Sequence, residues 1–169
     1  MGFNLETFTA FHVVLSLIGI ASGLVFTFGW LSGRRFPRTT TVFLITTAAT
    51  SVTGFFFPAH KLLPSHIVGI ISLAVIAGAV IGRRLPLPAG AAALLFVSNG
   101  MVALYLNVFV LIVQSFQKVP ALKTLAPTQT EAPFVAVQAV VFVVFAALTV
   151  VAALKARGPI PRAALRPDR

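Results

Sequence analysis

The chain has no cysteine. That absence excludes disulfides, thiolate metal sites, covalent haem attachment through a C-x-x-C-H motif and a lipidated cysteine. Acid is nearly missing too, with three Asp and Glu among 169 residues, and charged residues of both signs make up only 9%. Paired carboxylates, or a nucleophile with an oriented base, cannot be assembled from three acids of which one, Asp168, stands in the basic tail, so enzymatic hydrolysis is not expected. No Asp, Glu, Lys or Arg falls well inside an apolar run. Intramembrane charge is the usual mark of proton relays and ion-coupled pathways, and ion-coupled transport therefore ranks low.

What is present is hydrocarbon. Hydrophobic residues make up 58% and the mean hydropathy is +1.00, a composition that belongs in a bilayer. The opening MGFNLETFTA has Glu6 but no Lys or Arg, and no small-residue cleavage site closes the run after it. A removable signal peptide is not expected, and the first apolar stretch should stay in the mature protein. Runs of roughly 17 to 25 apolar residues, the length that crosses about 30 Å of hydrocarbon, recur five times. They cover about 8–31, 39–59, 66–82, 89–117 and 134–154, and the third is the shortest. Three threonines (Thr39 to Thr41) are expected to cap the second and Ser65 the third. The fourth is too long for an untilted crossing, and Asn99–Gly100 is its expected bend. The fold expected is an all-α integral membrane bundle of five transmembrane helices over 1–154, with a basic tail at 155–169.

Charge orients the bundle. With five crossings, one side collects Arg34, Arg35, Arg38, Arg83, Arg84, Lys155, Arg157, Arg162, Arg166 and Arg169, and the other only Lys61, Lys118 and Lys123. The excess of basic residues on the first side predicts an N-terminus outside and a C-terminus in the cytoplasm. The net charge of +10 is then explained by orientation and by contact with anionic lipid headgroups at the tail, not by nucleic acid.

The titratable residues that are not cytoplasmic gather at the outer end. FFFPAHKLLPSH (55–66) carries His60, Lys61 and His66 between the second and third runs, and His12 lies about one turn inside the outer end of the first. In the fourth run Asn99, Asn107 and Gln114 recur at steps of eight and seven, which at 100° per residue keeps them within about 80° on one face. Amides in lipid need partners, so this stripe should face the bundle interior, with interhelical bonding weighed above ligand binding. The serines, threonines and glycines of the first three runs have an ordinary explanation in close helix packing. Tyr105 and Trp30 suit interface or packing positions alike, Trp30 beside the arginines fitting an aromatic belt, and Glu131 fits the first turn of the fifth helix behind a Thr128 or Thr130 cap.

From these residues a candidate outer site is assembled: His12, His66, Gln114 and Asn107, with Lys61 and Lys118 at the mouth. Its neutral walls and positive rim suit an anionic or amphipathic small molecule or a lipid. The alternative is a redox protein in which His12, His60 and His66 hold a metal ion or supply ligands to a b-type haem, although H-x5-H is not a standard metal spacing. Interfacial histidines without any ligand are the plainer explanation of the three.

The run NVFVLIVQSFQKVPALKTLAPTQTEAPF, residues 107–134, resembles a segment recurring in small multi-pass bacterial inner-membrane proteins of unknown function. The resemblance covers about a sixth of the chain. It implies a bacterial cytoplasmic membrane and a structured outer loop, and brings no activity or catalytic residue with it. Beside the small-molecule or lipid binder, the other non-enzymatic reading is an accessory subunit whose outer loop and hairpin meet a membrane protein partner. In that loop Val119, Leu122 and Leu125 are expected to be buried and Pro120, Pro127 and Pro133 to reduce the entropy lost on ordering.

Overall fold

A computed structural model describes residues 4–58 and 64–156. Those residues form an all-helical bundle: α1 (Leu5–Leu31), α2 (Pro37–Gly54), α3 (Pro64–Arg84), α4 (Ala89–Lys118), a short α5 (Pro120–Leu125) and α6 (Ala132–Ala156). Four of them, α1, α3, α4 and α6, are long and apolar enough to cross a membrane, which makes this a multi-pass membrane protein. The second run stands apart. Arg38, seven threonines and Ser51 dilute the apolar content of α2, and at 18 residues it is the shortest long helix, where the third run was expected to be.

Local chemistry explains the boundaries. Asn4 caps α1 by accepting from the N–H groups of Glu6 and Thr7 at 3.0 and 3.2 Å. Gly33, at φ 73°, supplies the left-handed residue that turns the chain out of α1. Both expected hydroxyl caps are corrected: α2 starts at Pro37 and α3 at Pro64, proline being suited to the first helical position because its missing N–H would have no partner there. Thr40 and Thr41 instead donate back to Phe36 O and Pro37 O at 2.9 and 3.0 Å. At its other end α2 closes at Gly54, because Phe55 and Phe56 form a turn, bonding to Val52 O and Thr53 O, where the apolar pattern extends the run to residue 59.

Successive long helices run antiparallel, and α4 lies centrally, touching every other helix. At the arginine end the bundle is tightly packed. Phe26 stacks on Phe43 at 5.5 Å and meets Phe96 edge-on at 5.5 Å, and Trp30 meets Phe96 at 5.8 Å. Glycines make these approaches possible: a Cβ at Gly100 would stand 2.8 Å from the Phe26 ring, and one at Gly82 only 2.6 Å from the backbone nitrogen of Phe96. The expected bend at Asn99–Gly100 is absent as a break, since α4 is one 30-residue helix. Asn99 donates to Leu95 O on its own helix and lies over Gly78 of α3.

Of the two expectations for Trp30, belt or packing, the structure shows packing. It is 4% exposed, and its Nε1 donates to Ala152 O of α6 at 3.1 Å, while the Arg35 guanidinium lies 3.9 Å over its ring. Lys155, in the last turn of α6, donates to Leu31 O, so α1 and α6 are clasped at this end.

Candidate functional site

Toward the opposite end the large aromatics give way to small and polar residues. On α1 the inner face reads Thr9, His12, Val13, Ser16; on α3 Ser65, Val68, Gly69, Ser72; on α4 Asn107, Val110, Leu111, Gln114. Each set follows the i, i+3, i+4, i+7 pattern, which keeps it on one helical face. Such side chains cannot fill the space that phenylalanine fills below, and a cavity of about 480 Å³ remains between α1, α2, α3 and α4. That volume is within the range of ligand pockets, about 300–1,000 Å³. From Lys118 at the end of α4 to Asn107 the wall descends eleven residues, roughly 16 Å at 1.5 Å per residue.

His12, His66, Asn107, Gln114 and Lys118 all line this one cavity. His60 and Lys61 lie outside the described residues, and among the described residues no three His, Asp or Glu gather as metal ligands. His12 Nδ1 lies 2.8 Å from Thr53 Oγ1, and its ring meets Phe57 edge-on at 5.1 Å. His66 is stacked on Phe55 at 5.5 Å.

The amide stripe divides along its length. Asn107 is 6% exposed and bonds Thr47 of α2 at 3.0 Å, beside Gly19, whose lack of a side chain admits both groups. It serves helix packing and the cavity wall together. Gln114 has no hydrogen-bond partner among the described residues. The cavity lining contains no carboxylate, and its single permanent cation is Lys118.

Sequence reasoning missed the part of the wall made by α2. Thr50 presents a buried hydroxyl oxygen with no partner, and Thr53 holds His12. The available signal was periodicity, since Thr46, Thr50 and Thr53 recur at steps of four and three on one face of α2.

The 119–131 connection carries α5 and a set of turns. Gln129, at φ 61°, donates to Val113 O of α4 at 2.8 Å, while its Oε1 accepts from Gln117 at 3.3 Å. The expected burial is corrected: Val119 and Leu125 are exposed, and Ala126 is the buried residue. Glu131 precedes α6 instead of joining its first turn. Desolvation alone would raise its carboxyl, but its own backbone N–H, the Thr128 hydroxyl and N–H and the Thr130 N–H hold it below the usual carboxylate range.

Comparison with protein-family models, with characterised proteins and with solved structures finds no match for this chain.

Proposed function

We propose that this is a five-span bacterial inner-membrane protein, N-terminus outside and C-terminus cytoplasmic, that binds a small amphipathic molecule or lipid in the outward-facing cavity without catalysing its conversion. The observation that carries the reading is the convergence of His12, His66, Asn107, Gln114 and Lys118, from three helices, on the wall of one cavity. The lining holds no carboxylate to pair with its histidines, and its mixture of aliphatic walls with polar groups is that of a binding pocket.

In this reading α2 is the fifth span. Its 18 residues extend about 27 Å, close to the hydrocarbon thickness. Its hydroxyls do not bar it from lipid, because Thr40, Thr41, Thr46, Ser51 and Thr53 donate to carbonyls of their own helix or its cap. Its ends are matched to both neighbours, Thr53 with His12 of α1 and Thr41 with Arg83 of α3. Among the described residues Arg34, Arg35, Arg38, Arg83, Arg84 and Lys155 gather at one end, against Lys118 and Lys123 at the other, which supports the orientation. The exposed Val140, Phe142 and Val143 of α6 then face lipid or a membrane partner.

The test is the small-molecule content of the purified full chain, measured by extraction and mass spectrometry. Wild type retains an amphipathic molecule that His12→Ala and Gln114→Ala lose in parallel; equal content in all three overturns the binding reading. Alkaline phosphatase fused after Arg169 is inactive on this orientation, and activity in the periplasm overturns the topology.

One feature favours the redox reading as second: His12 and His66 reach the same cavity, and His12 is oriented through Nδ1, as metal-bound histidines are. A Soret band or stoichiometric metal in the purified protein selects it.

A further inference from the structure

The contact between His12 and Thr53 carries information about what the cavity accepts. Thr53 Oγ1 stands 2.8 Å from Ala49 O, 3.1 Å from Thr50 O and 2.8 Å from His12 Nδ1. A hydroxyl has one proton to donate. Two oxygens 2.8 Å apart repel unless a proton lies between them, so the Thr53 proton belongs to the carbonyls of α2. The nitrogen contact is then satisfied only if His12 brings the proton, on Nδ1. A neutral imidazole has one N–H, and Nε2 is left as an acceptor.

No group among the described residues satisfies Nε2, on a side chain that lines the cavity. The Phe57 ring, edge-on to the imidazole at 87°, helps to fix the ring's orientation. Gln114 and Thr50 can each donate or accept, so they discriminate little between ligands. Lys118 at the mouth can only donate. His12 is therefore a wall acceptor of fixed polarity, opposite in character to Lys118.

We propose that Thr53 is a positioning residue that fixes His12 with Nε2 as an acceptor, and that the ligand carries a hydroxyl or N–H donor placed against α1, with its acceptor or anionic group toward Lys118. This rests on the binding reading above and deepens it. Molecules offering only carbonyl or ether oxygens at that position leave two acceptors facing each other and bind more weakly by about one net hydrogen bond.

The experiment uses the full chain in lipid nanodiscs with 15N-labelled histidine. The chain has three histidines, and His12→Ala assigns the resonance of interest. Wild-type His12 is expected as the Nδ1–H tautomer; Thr53→Val, which keeps the shape but removes the hydroxyl, yields a mixture, and Thr53→Ser restores the wild-type pattern. The probes are 4-nonylphenol, a donor, and its methyl ether, which can only accept. The phenol binds more tightly by about 5-fold, the worth of one net hydrogen bond, and shifts Nε2. In Thr53→Val that preference falls toward parity. An Nε2–H tautomer in wild type, or equal binding of phenol and ether, overturns the proposal. If neither probe binds and His12→Ala also keeps the wild-type small-molecule content, the binding reading itself fails and the ligand class falls with it. If His12→Ala loses the native molecule while phenol and ether bind alike, the cavity binds but Thr53 does not set its preference.

Discussion

Gly82→Ala tests the packing that holds the cavity's α3 wall in place. A Cβ at this position would stand 2.6 Å from Phe96 N, 2.8 Å from Ala92 O and 3.0 Å from Phe96 Cα, all backbone atoms of α4. Ordinary contacts begin near ~3.5 Å, and no side chain can rotate to relieve these, so the helices must part by most of an ångström. Overpacking of this kind costs about 1–3 kcal/mol, and the helix preference of alanine over glycine returns at most ~1 kcal/mol. The net expectation is a loss of about 0–2 kcal/mol, up to roughly 30-fold in the ratio of folded to unfolded protein, and about 1–3 kcal/mol relative to a glycine-to-alanine change that meets no neighbour. Gly90→Ala is the control, since a Cβ there meets nothing within 4 Å; it is expected to be neutral or slightly stabilising. Unfolding in detergent, followed by far-UV circular dichroism, reads both variants. Ser65, Gly69 and Ser72 lie on the displaced helix, so the 4-nonylphenol affinity of Gly82→Ala should also fall. A Gly82→Ala protein as stable as Gly90→Ala would refute the close α3–α4 crossing.

Asn107→Ala removes the bond to Thr47 and is expected to cost about 0.6 and at most ~1.7 kcal/mol, whereas Gln114→Ala, which breaks no hydrogen bond, should stay within about 0.5 kcal/mol in the same assay. Trp30→Phe leaves Ala152 O without its indole donor and is expected to lose about 1 kcal/mol; unchanged stability would mean that apolar contact alone closes the α1–α6 seam. Because the folded pKa of Glu131 is lowered, its contribution is full above the ordinary carboxylate range, about 4.3, and is lost as pH falls through the lower folded value. Amide shifts of Thr128 and Thr130 should titrate in that acid window, and Glu131→Gln should abolish the titration.

Helix positions were legible because Pro, Arg and Gly interrupt otherwise continuous apolar runs, and α1 and α4 begin or end within three residues of the expected bounds. The end of α2 was not, because Phe55 to Phe57 are as apolar in a turn as in a helix, and hydropathy cannot separate the two. The depth of His12, His66 and Gln114 could be read from their distance to the helix ends, which placed them in one layer. Which of them share a wall depends on helix rotation, and that is set by distant contacts such as Gly82 on Phe96 and Gly23 on Phe43. For the same reason the Thr53–His12 pair, 41 positions apart, was invisible: it depends on the α1–α2 register. Trp30 shows the same limit, since a position next to arginines gives depth but not direction, and the side chain turns inward to α6.

The absence of native cysteine permits a direct measurement of the central claim, an outward-facing cavity that reaches Gln114. Gln114→Cys, alone in the chain, is treated in intact cells whose outer membrane has been made permeable with a membrane-impermeant maleimide, beside Val143→Cys on the exposed face of α6. The account predicts that Gln114→Cys is labelled from outside and that 4-nonylphenol slows its labelling, while Val143→Cys stays unlabelled in hydrocarbon. Labelling of Gln114→Cys only after the inner membrane is broken, or at a rate indifferent to the phenol, would contradict it.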